Sequence, residues 1–434
     1  MALLPPDHPE RFALAEEVHA RPPEAVDAPA RVSYVALQVD ADDRDRERAH
    51  VAALCERFGV APPPPTATHF SARIGTIKFK WEKHGEFSSY TFIQKGLGES
   101  PFAESPTQAL PPNWLSAMPG RTMMGAHCQV LRGQAPGIAS APSPQALAEF
   151  FAGHTVVGAV IAGGAGLAYT DFRIHDDGFN RFVVVDSGFT LPQAGRMVQR
   201  LFEIEAYRMM ALLALPVARR MSPRILDIER SLATLTDGIA RDDGADEQLL
   251  HELTRLAAEV ESGLAATQFR FGACRAYHEL VVTRIRELRE ERIPGMQTID
   301  EFMARRLTPA VATCATVSQR LTNLSDRVAQ ASGLLSTRVS IARERQNQAL
   351  LASMDRRAKQ QLRLQQTVEG LSIAAISYYA ASLVGYLAKG LKAIGLRIDA
   401  DVATAVTIPI VVLVGLSIVR RVRRRARIED PQPG

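Results

Sequence analysis

The chain has 434 residues, which is longer than one ordinary domain, and its 46% apolar and 23% charged residues are typical of a globular protein. The net charge is only +4, and six arginines lie within residues 420–434, so the rest of the chain is nearly neutral and a general nucleic-acid-binding surface is not expected. The four cysteines are far apart and form no CxxC pair, which is typical of a reducing compartment. No secretory signal is present, so we expect the N-terminus to stay in the cytoplasm.

Residues 31–192 are predicted to form a mixed α+β domain on the cytoplasmic side, preceded by a proline-punctuated arm over residues 1–30. Short runs of alternating apolar and polar residues predict strands, and few helices interrupt them. Two of these runs, Ser71–Trp81 and Glu86–Gln94, are separated by a short turn and predict a β-hairpin.

Residues 193–333 have apolar residues at every third or fourth position and predict long helices. One stretch has the spacing of a coiled-coil seam, which predicts packing against another helix of the same chain or of a neighbour. The seam consists of Leu307, Val311, Cys314, Val317, Leu321, Leu324 and Val328. Residues 334–370 continue as a predicted stalk helix, which contains no proline and no glycine before Gly370.

Two uncharged apolar stretches, residues 371–387 and 402–419, are each about long enough to cross a hydrocarbon core of roughly 30 Å. The loop between them, residues 388–401, carries three cations and two carboxylates, whereas both outer flanks are rich in arginine. Because cations collect on the cytoplasmic side, this pattern predicts a two-helix transmembrane hairpin in the inner membrane with both termini in the cytoplasm.

Arginines of the stalk and of the basic tail, residues 420–434, are expected to contact anionic lipid headgroups, at about 1 kcal/mol for each residue. They are Arg356, Arg357, Arg420, Arg421, Arg423, Arg424, Arg425 and Arg427. Membrane lipids are therefore the first predicted partner of the chain.

Hydroxyl side chains occupy about one third of the circumference of the first predicted span. This stripe consists of Ser372, Tyr378, Tyr379, Ser382 and Tyr386, with Glu369 at the cytoplasmic mouth and Ser377 on another face. Hydroxyl groups inside lipid need partners, so the stripe is expected to meet another helix of a homo-oligomer or, in the alternative, to line a pore. Glu369 is expected to pair with an arginine, or to attract cations if a pore exists.

An alternating trio near the N-terminus combines a carboxylate, an imidazole and a guanidinium group: Glu17, His19 and Arg21. In an extended segment the three would share one face and could form an anion-binding or proton-transfer site. Such a trio more often fixes an N-terminal arm by ion pairs, and this is the interpretation that we favour.

A second alternating trio, Glu82, His84 and Glu86, surrounds the predicted hairpin turn and could bind a metal ion. Positions next to a turn are usually solvated, so we expect no metal site there. The acidic turn after His175 is explained by turn chemistry alone. No GxSxG, HExxH or paired Cys-His pattern occurs, so neither an enzyme nor a cofactor is expected.

Several long strings of the sequence resemble a bacterial family of predicted membrane-anchored proteins that is defined only as a domain of unknown function. These strings are Glu17–Pro22, Trp81–Phe87, Thr170–Phe179, Arg345–Arg357 and Gln361–Ser372. The resemblance spans nearly the whole chain and implies no reaction. The arrangement of an α/β domain, a stalk and a two-span hairpin also looks like the CorA-type cation channels. Their Gly-Met-Asn signature is absent, because the first span ends Leu383-Val-Gly-Tyr-Leu387.

The sequence thus predicts an oligomeric, membrane-anchored scaffold or sensor whose bulk lies on the cytoplasmic face and recognises a cytoplasmic partner or ligand. The alternative is a CorA-like ion channel or transporter without the usual filter. The slightly basic loop of residues 388–401 weighs against that alternative, since it would repel divalent cations.

Overall fold

A computed structural model describes residues 5, 7–19, 22–100, 102–133, 141–241, 246–393 and 399–428. The chain divides into two compact units, Met1–Gly333 and Leu334–Gly434. The first unit contains a β-sheet and a set of packed helices. The second contains the remainder of one long helix and the C-terminal helix.

The first unit contains a nine-stranded sheet with the order β2-β3-β4-β1-β5-β8-β7-β6-β9. The strands are β1 (Ala30–Gln38), β2 (His69–Ile74), β3 (Ile77–Lys83), β4 (Phe87–Lys95), β5 (Arg121–Arg132), β6 (Val157–Ile161), β7 (Gly166–Ile174), β8 (Asn180–Asp186) and β9 (Glu291–Arg292). Strands β5 and β8 run parallel, and the other neighbours run antiparallel. Together with the long helices, this sheet confirms the predicted α+β class.

The run that predicts one strand over Ser71–Trp81 forms two strands instead. Ile74 of β2 pairs with Ile77 of β3, so only two residues remain for the turn. The first of them, Gly75, has a φ of +57°, a left-handed conformation that glycine adopts without a steric penalty. The predicted hairpin between β3 and β4 forms as expected, and the sheet gains a further edge strand.

The helices of the described residues are α1 (Arg11–His19), α2 (Arg44–Arg57), α3 (Pro144–Phe150), α4 (Leu191–Leu212), α5 (Ala214–Arg241), α6 (Asp246–Leu288), α7 (Ile299–Arg306), α8 (Thr308–Ala393) and α9 (Ala400–Ile428). Among them, helices α4, α5, α6, α8 and α9 have more than twenty residues each, and the other helices are shorter. Helix α8 includes the N-terminal part of the second unit, and α9 lies entirely within that unit.

Helix α2 covers one face of the β1–β4 half of the sheet and buries the carboxylate of Glu47 there. Glu47 Oε1 accepts hydrogen bonds from Trp81 Nε1 at 2.9 Å and from the Tyr90 hydroxyl at 2.7 Å. Arg44 forms an ion pair with the same carboxylate at 3.1 Å. A buried carboxylate is tolerated only when it is paired in this way.

Helix α4 packs on the sheet and also holds the segment that precedes β1. Phe202 stacks on Tyr34 of β1, with ring centroids 5.0 Å apart. The amide of Val26 donates to the Leu191 carbonyl at 3.2 Å. Gly195 faces the Glu24 carbonyl so closely that a side chain there would overlap it.

The predicted coiled-coil seam is buried within its own chain. Six of its seven residues are buried and Val311 is half-buried. Polar contacts fix the same face of α8 on its neighbours, because Arg320 pairs with Glu229 of α5 at 2.7 Å and the Ser325 hydroxyl lies 2.6 Å from Glu261 of α6. The seam is therefore buried by helices of its own chain.

In the second unit, α8 is almost entirely exposed from residue 340 to residue 370. This segment coincides with the predicted stalk. The helix then continues through the first predicted span and ends at Ala393, and α9 begins at Ala400. The helical structure thus extends into both ends of the predicted 388–401 loop, and residues 394–398 lie outside the described part.

Candidate functional site

A small polar cavity lies between the sheet and α4, and the β3–β4 hairpin supplies most of its polar wall. The cavity has a volume of about 30 Å³. Its polar lining residues include Glu24, Tyr34, Lys80, Glu82, His84, Ser89, Gln199 and Glu203. Lys80 and Glu82 lie two residues apart on β3, so strand geometry places both side chains on the same face.

The central charges of the cavity form a buried ion pair. Lys80 Nζ lies 2.8 Å from Glu82 Oε1, and the two side chains are only 5% and 7% exposed. Lys80 also donates to the Pro22 carbonyl at 2.9 Å, which ties the segment before β1 to the sheet. This pairing offsets the desolvation cost of each charge.

Hydroxyl groups continue the network toward the hairpin turn. Tyr34 is hydrogen-bonded to Ser89, and burial raises the pKa of Tyr34 well above its usual value, so its phenol stays protonated. Ser89 Oγ also lies 3.2 Å from His84 Nε2. The His84 ring stacks on Phe87 with centroids 4.3 Å apart. His84 is thereby held in one orientation at the end of the network.

Helix α4 closes the cavity with Glu203, a residue that the sequence pattern did not single out. Gln199 donates to Glu203 at 2.7 Å, and Arg284 of α6 forms an ion pair with the same carboxylate. Glu203 also lines an open polar groove of about 200 Å³ with Arg284 and Glu287. The sequence gives only a weak indication that Glu203, Arg284 and Glu287 form a site, because single charged residues on long helices are usually solvated.

The second predicted trio does not converge on one point. Glu82 binds Lys80 and His84 contacts Ser89 inside the cavity, whereas Glu86 forms an ion pair with Arg270 of α6. Of these contacts, only that of Glu86 joins the hairpin to another element, because Lys80 and Ser89 lie on β3 and β4 themselves. The turn between β3 and β4 breaks the common face that a continuous strand would have provided.

His84 also lines a larger open groove beside the cavity. This groove has a volume of about 350 Å³ and includes Phe87, Tyr207 and Tyr277. Burial raises the pKa of Tyr277 to about 12, so it acts as a neutral hydrogen-bonding group at pH 7. The cavity itself has room for one or two water molecules, and a larger ligand would need its walls to move.

The first predicted trio falls at the edge of the described residues. Glu17 and His19 lie in α1, so this segment is helical and not extended. Residues two apart in a helix are about 200° apart around its axis, so the expected alternation gives no common face. Arg21 and the side chains of Glu17 and His19 lie outside the described residues.

The two predicted spans coincide with helices that are long and apolar enough to cross a membrane. They approach each other at small residues: a side chain on Gly385 would meet Thr404, and one on Gly415 would meet Ile373. These pairs place α8 and α9 side by side as an antiparallel hairpin. Close approach at glycine is typical of helix pairs in membranes.

The predicted hydroxyl stripe faces away from this helix contact. Tyr379 and Tyr386 are exposed, Ser382 is half-buried, and Ser377, which lies off the stripe, is buried. The Ser372 hydroxyl donates to the Val368 carbonyl at 2.9 Å within its own helix. Glu369 is half-buried near the start of the first span.

The predicted headgroup arginines occupy both helices of the second unit. Arg356 and Arg357 are exposed on the stalk part of α8, and Arg420 and Arg421 are exposed on α9. The backbone of Arg423, Arg424, Arg425 and Arg427 continues α9, and their side chains lie outside the described part.

Comparison with known proteins agrees with the family resemblance of the sequence strings. The profile of a family described as "Protein of unknown function (DUF3422)" matches residues 6–426. No curated protein and no solved structure matches the chain, and the similarity to CorA-type channels finds no support. Because the match covers nearly the whole sequence, the chain belongs to the DUF3422 family of proteins of unknown function.

Proposed function

We propose that the chain is a membrane-anchored, non-enzymatic, oligomeric scaffold or sensor of the cytoplasmic membrane. The observation that carries this proposal is the apolar exterior of the α8–α9 hairpin. Leu371, Leu383 and Leu413 are 75%, 62% and 66% exposed. A helix pair with such side chains on its outside is stable in lipid, whereas in water it would form a large exposed apolar patch.

Membrane insertion is tested by fractionating cells that produce the full chain and washing the membranes with alkaline carbonate. The chain should stay in the membrane pellet, because two apolar spans resist extraction. A green fluorescent protein fused after Gly434 should fluoresce, and alkaline phosphatase at the same position should be inactive. Release of the chain by carbonate, or an active phosphatase, would contradict the anchor or its orientation.

The oligomer is supported by an unpartnered apolar face on the stalk. Leu351, Met354, Ala358 and Leu362 follow a 3, 4, 4 spacing, so they lie close together on one side of the helix. All four are exposed. Two copies anchored in one membrane present this face at the same height, so a second copy of the chain can cover it in parallel.

Cysteine crosslinking tests this contact, because the four native cysteines are buried. Met354→Cys should give a disulfide-linked dimer in oxidised membranes. Arg356→Cys is the matched control, since it lies on roughly the opposite side of the same helix. Equal crosslinking of both variants, or none of Met354→Cys, would remove the second copy from the proposal.

A sensing role for the sheet domain is supported by the polar cavity and the groove beside it. Glu82 and His84 are already engaged by Lys80 and Ser89, and the cavity between them has the size of water. This arrangement gives a substrate no room to react there. Displacement of α4 by a ligand in the neighbouring groove would instead change the ion pairs that hold α4 to α6.

A further inference from the structure

Three side chains outside the polar cavity form a compact cluster in the other half of the sheet. His154 Nδ1 lies 2.8 Å from Asp171 Oδ2, and His175 Nε2 lies 3.0 Å from the same oxygen. The Asp171 side chain is fully buried and that of His175 is 4% exposed, whereas that of His154 is 34% exposed. The three ligand-type atoms all lie within 4.8 Å of one another.

The backbone of β7 departs from a regular strand to bring this cluster together. In a regular strand, residues four apart are separated by about 13 Å, so Asp171 and His175 would not meet. The pairing register of β7 with β8 shifts between Thr170 and Ile174. Within this bulge Phe172 has a φ of +52°, a conformation that is costly for an aromatic residue.

Neighbouring contacts hold the bulge in place. The Arg173 amide donates to Asp171 Oδ1 at 3.2 Å, which leaves Oδ2 for the two imidazoles. The Phe172 ring stacks on Phe302 of α7 with centroids 4.6 Å apart. The His175 amide donates to the Phe179 carbonyl at 3.0 Å and starts the turn to β8. Asp171 and His175 are thus fixed by the hairpin and not by a mobile loop.

We propose that His154, Asp171 and His175 bind a divalent transition-metal ion of the Zn²⁺ class. Ligand atoms at about 2.0–2.1 Å from a tetrahedral ion lie roughly 3.3 Å from each other, so the two observed separations need to widen by only a few tenths of an ångström. Two imidazoles and one carboxylate favour Zn²⁺, Co²⁺, Mn²⁺ or Fe²⁺ over Mg²⁺ and Ca²⁺, which prefer oxygen ligands.

The different exposure of the three ligands suggests how an ion enters. The two buried ligands form the floor of the site, and His154, which follows α3, forms its accessible side. Three protein ligands leave a fourth position open on a tetrahedral ion. All three ligands belong to the first unit, so the metal proposal does not depend on the proposed membrane anchor.

The site is tested with the full chain, purified in detergent with a tag that contains no histidine and stripped by a chelator. Addition of CoCl₂ should give visible d–d absorption that saturates at one equivalent per chain and disappears when ZnCl₂ is added. MgCl₂ should have no effect. Isothermal titration with ZnCl₂ should give the same stoichiometry.

His154→Gln should weaken Co²⁺ and Zn²⁺ binding at least tenfold, because it removes one of three ligands. The variant should keep its circular dichroism spectrum, since His154 is partly exposed. His69→Gln is the matched control on an exposed strand position and should bind like the wild type. Absence of saturable binding, or equal binding by the His154 variant, would show that the cluster is only a hydrogen-bonded network.

Discussion

Buried polar side chains of the sheet domain are positioned by partners that lie far away in the sequence. Glu47 meets Trp81 and Tyr90 across a gap of more than thirty residues. His127 Nδ1 lies 2.8 Å from the Ser33 hydroxyl, and its ring stacks on Phe179 with centroids 4.0 Å apart. At this scale each charge or hydrogen bond depends on the whole sheet being assembled, so single substitutions should have large effects.

Replacing Glu47 by alanine should lower the free energy of unfolding of the sheet domain by about 3 kcal/mol or more. The substitution leaves Arg44 without its ion-pair partner and removes the acceptor of two buried donors. Denaturant unfolding can be followed through Trp81 and Trp114, the two tryptophans of the chain. Glu56→Ala, on an exposed position of the same helix, should change the free energy by less than about 0.5 kcal/mol.

Stability of the sheet domain should fall in acid because of His127. Burial lowers the pKa of His127 from 6.5 to about 4. Between these two pH values the imidazole is protonated in the unfolded chain and neutral in the folded chain. The contribution of His127 is complete above pH 6.5 and is lost as the pH falls through 4, by roughly 3 kcal/mol. His127→Gln should flatten this part of the stability curve measured by tryptophan fluorescence. An unchanged slope would contradict the shift.

Secondary-structure elements were predictable where a local pattern determines them. The alternation of apolar and polar residues predicts β1 and the β3–β4 hairpin. The two apolar stretches with their flanking arginines predict the C-terminal helix pair. The division between β2 and β3 was missed, because the decisive signal is the backbone conformation of one glycine, Gly75. The His154, Asp171 and His175 cluster was also missed, since an irregular strand assembles it and no fixed spacing marks it.

The packing of α4 against the N-terminal segment should be sensitive to one methyl group. Gly195→Ala places a side chain where the Glu24 carbonyl lies, so the segment or the helix must shift, at a cost of about 1–3 kcal/mol. Thermal unfolding of the sheet domain should move to a lower temperature. Gly272→Ala on α6 meets no neighbouring atom and should leave stability unchanged or raise it by up to about 1 kcal/mol. Similar effects of both substitutions would refute this account.

The whole molecule combines a unit of sheet and packed helices with a hairpin that has an apolar exterior. The seam of α8 does not argue for an oligomer, because its own chain buries it. The proposed second copy is therefore supported by the exposed stalk face and by the hydroxyl stripe that α9 does not cover. The sequence revealed the charge asymmetry of the hairpin but not which helix faces would remain exposed.

The proposed orientation of the hairpin should depend on the basic tail. Replacing the six arginines of residues 420–434 by glutamine removes every lysine and arginine that follows the second span in the sequence. We expect a measurable fraction of the chains to place the C-terminus outside, read as alkaline phosphatase activity of a fusion after Gly434. Replacement of Lys389 and Lys392 instead should leave the wild-type orientation unchanged. No change with the tail variant would show that the stalk arginines alone set the topology.

The position of β9 at the edge of the sheet has a consequence for biosynthesis. This strand comes from residues Glu291–Arg292, after helices α4, α5 and α6, so the sheet cannot be completed until these three helices have been made. The first apolar span follows about 80 residues later, and at roughly 5–20 residues per second this interval lasts about 4–16 s. The ribosome therefore makes every strand of the sheet before it makes the first of the two proposed membrane spans.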